Sequence, residues 1–182
     1  HFFYDDIKNF YIATKDVGYD DKNMKQGEFL TYEKIRENNS SEELLKNSDK
    51  KTLVTLMHAN NEIGNLIDLK KVAEICKENN ALFHSDTVQS MAHMDLDFSD
   101  IPVDFASCSS HKFHGPKGNG FAFVRKSSGL KGIITGGPQE RSLRAGTENV
   151  CGIVGLGKAL ELSLANMETY RNSMEEVKSY TI

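Results

Sequence analysis

The sequence predicts an α/β protein: a three-layer α/β sandwich around a mostly parallel sheet, ending in a long connector helix. Three observations carry this reading. Short apolar runs at 53–57, 81–84, 103–108 and 121–124 have the length and hydrophobicity of buried strands. Between the first two, Leu69, Val72, Ala73 and Cys76 recur at the i, i+3, i+4, i+7 spacing of one helix face, giving a strand-helix-strand unit. From about Asn149 onward, Ile153, Val154, Leu156, Leu160, Leu164, Met167, Tyr170, Met174 and Val177 keep a helical period. That run extends over about 28 residues, against a mean helix of ~11–12.

Taken in order, residues 4–16 carry Ile7, Phe10, Tyr11 and Ala13 at helix-compatible spacing. Residues 17–30 are polar and turn-rich. Residues 31–47 read as two short helices broken at Asn38-Asn39-Ser40-Ser41. The strand at 53–57, the helix closed by Asn79-Asn80 and the strand at 81–84 then form the βαβ unit, whose crossover implies parallel pairing. This gives an N-terminal segment at 1–50, a core at 51–148 and a helix at 149–182 leading towards a second, smaller domain. The chain opens on His1-Phe2-Phe3 and reaches Ile182 still in helical pattern, so it is expected to be a piece of a longer protein.

Composition narrows the class. Hydrophobic residues make up 38% and charged residues 26% of the 182, too apolar for a disordered chain. A net charge of −4 argues against a nucleic-acid or anionic-membrane surface. No apolar run approaches the ~20 residues of a membrane span. Cys76, Cys108 and Cys151 are odd in number and far apart, which disfavours a disulfide framework and suits a reducing, cytoplasmic or organellar compartment. All three fall in apolar periodic stretches and read as buried structural thiols.

Four stretches carry chemistry. The first, Ser109-Ser110-His111-Lys112-Phe113-His114-Gly115-Pro116-Lys117-Gly118-Asn119-Gly120, joins two strands. A lysine beside an aromatic, followed by a Gly-Pro-Lys-Gly turn, suits an amine delivered to a fixed point. Spacing does not choose between Lys112 and Lys117. The second, His84-Ser85-Asp86-Thr87-Val88-Gln89, follows a strand, where α/β sheets place ligand groups; Asp86 also suits a helix N-cap. The third, His58-Ala59-Asn60-Asn61-Glu62-Ile63-Gly64, is a turn signal after a strand. The fourth, Gly136 to Asn149, offers Thr147 and backbone amides ahead of the long helix. His84, Asp86, His111 and His114 also have the residue types of a zinc site but lack its regular spacing.

Taken in chain order, these four stretches, from about Leu53 to Leu160, resemble the class V aminotransferase family. The nearest group is the cysteine desulfurases and selenocysteine lyases, which use pyridoxal 5'-phosphate. The resemblance implies that Lys112, directly after a histidine, holds the cofactor, and that Asp86 is the acid at its ring nitrogen. It further implies that Gln89 faces the phenolic oxygen, that Asn61 faces the cofactor, and that Ser109 and His111 bind the phosphate. Thr147 would reach the phosphate of a neighbouring subunit, so a homodimer with shared sites is expected. Pro138 stands where a glycine is common in the family. The activity implied is removal of sulfur from L-cysteine, giving L-alanine and an enzyme persulfide, with transfer to an acceptor or scaffold protein in iron–sulfur cluster assembly. L-selenocysteine is the alternative substrate. The family's mobile cysteine and substrate-carboxylate arginine find no match, so this chain alone is expected to be silent. A buried lysine flanked by cations would carry a lowered pKa, favouring the neutral amine that attacks an aldehyde.

Overall fold

Strand β3 (Thr52–Met57) and strand β4 (Leu82–Asp86) run parallel, paired from Leu53↔Leu82 to Met57↔Asp86. Helix α1 (Leu69–Glu78) crosses between them. The computed structural model of the chain describes residues 9–14, 30–31 and 52–181. The described residues divide into two compact units: those up to 86 together with 97–106, and 87–96 together with 107–181.

In the first unit the strand order is β2 (Leu30–Thr31), β1 (Asn9–Thr14), β3, β4, then β5 (Phe105–Ser109), whose first two residues belong here. β1 is antiparallel to both of its neighbours. The stretch 4–16 was expected to be helical, yet residues 9–14 are a strand. Phe10, Tyr11, Ile12 and Thr14 are good strand formers, and β3 supplies ladder partners from Tyr11↔Thr55 to Thr14↔Thr52. The two helices expected in 31–47 lie outside the described residues, apart from Thr31 in β2.

The crossover helix forms as its periodicity predicts. Asp68 accepts the amide of Lys71 at the N-cap, and Asn79 closes the last turn onto the carbonyls of Ile75 and Lys77. Leu69, Ala73 and Cys76 are its buried stripe. The core of this unit adds Val54, Phe83 and Val103, the last two without solvent exposure. Burying Phe83 alone is worth about 1.5–3 kcal/mol. Asp104 joins the β4 edge twice: its amide donates to the carbonyl of Phe83, and its carboxylate accepts the Phe83 amide, both at 2.9 Å.

The second unit holds the rest of β5, a 3-10 turn at Ser110–Phe113, β6 (Gly120–Val124), α2 (Val150–Ala165) and α3 (Met167–Thr181). β6 is the neighbour of β5. The expected single long helix is two, bent by 65° at Asn166. There φ is −110° and ψ 7°, and the Asn166 side chain donates to the carbonyl of Leu162 at 2.8 Å. An asparagine that bonds its own backbone competes with helix continuation. No single helix among the described residues is long and apolar enough to cross a membrane; α2 and α3 meet that test only together, across the bend.

Candidate functional site

In the first unit, β4 alternates burial along its length. Phe83 and Ser85 point inward, while His84 and Asp86 share the half-exposed face. Ser85 satisfies its hydroxyl by donating to the carbonyl of Leu56 at 3.1 Å. Asp86 is the last residue of the strand, and its carbonyl accepts the amide of His58 at 2.9 Å. His84 Nδ1 lies 2.6 Å from the hydroxyl of Thr55. Burial lowers the pKa of His84, partly offset by the Asp86 carboxylate, and burial lowers that of His58. Both rings are thus held towards the neutral form, that of His84 beside the Asp86 carboxylate.

The Asn-Asn loop splits its labour. Asn60 builds the turn: its side-chain oxygen accepts the amides of Glu62 and Ile63 at 2.9 and 3.0 Å, and its carbonyl accepts that of Gly64. Gly64 has φ 69°, which explains glycine there. Asn61 is exposed, with its amide donating to Glu62 at 2.9 Å.

In the second unit the lysine turn is anchored at both ends. Ser110 and Phe113 have no solvent exposure, and the side chains of His111 and Lys112 between them stand outside. Lys112 is therefore exposed rather than buried, because Phe113 takes the inward position of the turn. Ser110 donates to the carbonyls of Pro116 and Asn119 and accepts the amide of Gly115 through its own carbonyl. A methyl group on Gly115 would lie 2.8 Å from Cβ of Ser110, so the close approach requires glycine. His114 closes the turn in the left-handed region, φ 67°. Ser109 precedes the turn, and its hydroxyl lies 2.9 Å from Nδ1 of His111 instead of capping a backbone amide. Lys117 lies in the exposed turn beyond Pro116.

Gln89 is half-buried in the same unit, on a series of turns after Thr87. Thr87 is fully buried, and both its amide and its hydroxyl donate to the carbonyl of Ser107. Thr147 is exposed at the entrance to α2, where Asn149 accepts the amide of Gly152. Arg144 brackets it, donating to the carbonyl of Gly146 at 3.0 Å and pairing with Glu148 at 2.9 Å and Glu140 at 3.3 Å.

The structure thus assembles Gln89, Ser109, His111, Lys112 and Thr147 on one unit, and Asn61 and Asp86 on the other. Among the described residues, no group of three or more His, Cys, Asp or Glu is placed to hold a metal ion; His84 and Asp86 belong to the first unit, His111 and His114 to the second. Cys76 and Cys108 are buried as expected, but Cys151 is exposed at the start of α2. Burial, with the Asp104 carboxylate adding to it, pushes the Cys76 thiol up to about 12.

Residues 28–182 match the aminotransferase class-V family. The chain is 43% identical over 161 residues to the cysteine desulfurase IscS of Clostridium botulinum (strain Hall), covering 87% of this chain and 41% of that protein. It is 44% identical over 134 residues to the cysteine desulfurase IscS of Methanosarcina thermophila, covering 74% and 33%. Among solved structures, a NifS-like protein superposes with a TM-score of 0.71 at 42% identity, covering 76% of this chain and 39% of its own. A NifS-like protein from Rickettsia africae gives 0.68 at 35% identity, covering 78% and 42%. The chain therefore spans about two fifths or less of the length of these relatives.

Proposed function

The chain belongs to the aminotransferase class-V family, and from that premise we propose that it is the pyridoxal phosphate-binding part of a cysteine desulfurase. The observation that supports this most directly is the lysine turn. Its ends are buried at Ser110 and Phe113, which anchor the turn while the amine of Lys112 reaches solvent. The donor set also fits the cofactor: an amine, a strand-end carboxylate, two amides, two hydroxyls and an imidazole. A pyridine aldehyde bearing a phosphate takes groups of these kinds.

In this reading, bound pyridoxal phosphate supplies an electron sink for bonds at the Cα of the substrate amino acid. Lys112 would hold the cofactor through its Nζ and is placed to move a proton at the substrate Cα. Asp86 would hold a proton on the ring nitrogen. The neighbouring histidines serve that role by staying neutral, since a charged His84 would compete for the carboxylate. Ser109 and His111, paired at 2.9 Å, would bind the phosphate together with Thr147 from a second copy of the chain. Gln89 and Asn61 would orient the ring. The whole enzyme would convert L-cysteine and one enzyme thiol into L-alanine and an enzyme persulfide: the C–S bond is replaced by a C–H bond and the sulfur joins the thiol. The persulfide sulfur would then go to an acceptor protein.

The test is direct. Mix the chain with pyridoxal phosphate, follow the visible absorbance band, reduce with borohydride and map the modified residue. Label on Lys112 is expected; label on Lys117, or on no lysine, overturns the assignment.

A further inference from the structure

We propose that His93 is a positioning residue for Lys112, acting through the backbone of the lysine rather than through its amine. Nε2 of His93 lies 2.9 Å from the carbonyl oxygen of Lys112, nineteen residues away in the chain. The carbonyl can only accept, so the ring donates. It does so in the Nε2–H tautomer or as the imidazolium, and the contact survives either charge state.

The ring is aimed by its own segment. Thr87 moors the segment to β5 through two bonds to the carbonyl of Ser107. The amide of Met91 returns to the carbonyl of Thr87 at 2.8 Å, and the amide of His93 returns to that of Ser90 at 3.0 Å. Between them Ala92, 2% exposed, sits in the left-handed region at φ 64°. That conformation is unfavourable for a residue with a Cβ. Here it turns the chain so that the next side chain faces the lysine turn. Arg171 of α3 holds the far side, donating to the carbonyl of His93 at 3.5 Å.

The result is one connected frame. The imidazole of His93 joins the segment bearing Gln89 to the turn bearing Lys112. A lysine side chain has four rotatable bonds beyond Cα, so its amine finds a fixed point only if the peptide plane that launches it is fixed. Losing the His93 bond frees that plane while leaving the buried anchors at Ser110 and Phe113 in place.

The test compares His93→Leu with His93→Gln in the full chain; the glutamine amide keeps a donor. The first readout is amide hydrogen exchange. In His93→Leu, peptides covering 110–115 should exchange about tenfold faster, the loss of roughly one net hydrogen bond, with α1 unchanged. His93→Gln should stay near wild type. A uniform rise across the chain, or no rise in 110–115, overturns the proposal. The second readout rests on the cofactor reading above: borohydride-trapped label on Lys112 should form about tenfold more slowly in His93→Leu and recover in His93→Gln. Wild-type labelling in His93→Leu overturns the positioning role. Absence of label in the wild type overturns the cofactor reading instead, and the exchange experiment still decides His93.

Discussion

The hydroxyl of Ser163 donates to the carbonyl of Phe113 at 3.2 Å, joining α2 to the lysine turn across fifty residues of chain. Ser163 is 5% exposed and Phe113 is fully buried, so little water is at hand to replace the bond. Ser163→Ala should cost about 1–3 kcal/mol, the penalty of a buried carbonyl left without its donor. Urea unfolding would show a lowered midpoint at unchanged slope; an unchanged midpoint would mean that Phe113 finds another partner.

Gly115→Ala should be costly for a steric reason. The added methyl would meet Cβ of Ser110 at 2.8 Å, its carbonyl oxygen at 3.0 Å and Cβ of Ala159 at 3.3 Å. Overpacking of this kind costs about 1–3 kcal/mol. The same urea experiment measures it, and Ala159→Gly in the same chain should restore little, because the Ser110 contact is the tighter one.

Acid should weaken the first unit. His58 and His84 both have folded pKa values lowered by burial, with unfolded values near 6.5. Between the folded and unfolded values the unfolded chain binds more protons, so stability rises with pH there. The contribution is complete above about pH 6.5 and is lost as pH falls through the folded values. Chemical denaturation from pH 7.5 to 5 should show this decline, and His58→Gln with His84→Gln should flatten it. A slope that survives both substitutions would place the titration elsewhere.

The thiols should separate cleanly. Cys151 is exposed, whereas Cys76 and Cys108 are buried and the Cys76 thiol is pushed up to about 12. Thiolate is the reactive form, so native alkylation should modify Cys151 first and spare Cys76 until the chain unfolds. Early mass labelling at Cys76 would contradict its burial.

These predictions draw on elements that were unequally legible in the sequence. β3, α1, β4, β5 and β6 follow from apolar runs and one helical stripe, because burial against a sheet imposes those patterns locally. β1 did not follow, since Ile7, Phe10, Tyr11 and Ala13 also fit a helix and only pairing with β3 decides between the two. The bend at Asn166 is hidden for a related reason. The apolar period runs through Leu164, Met167 and Tyr170, and it reports which faces are apolar, not whether the axis continues. Among the candidate site residues, Lys112, Asp86 and Thr147 were visible as motifs. His93 and Ser163 were not. Both act on backbone carbonyls far along the chain, and a carbonyl leaves no trace in residue identity.

The left-handed alanine at 92 makes one methyl group an adjustable part. Glycine there would relieve the conformational cost, and the folded state would gain what the methyl now withholds. It would also let the chain swing through conformations that alanine forbids, and His93 would swing with it. Residue 92 is therefore a point where a protein engineer must choose: a tougher chain or a better-aimed lysine.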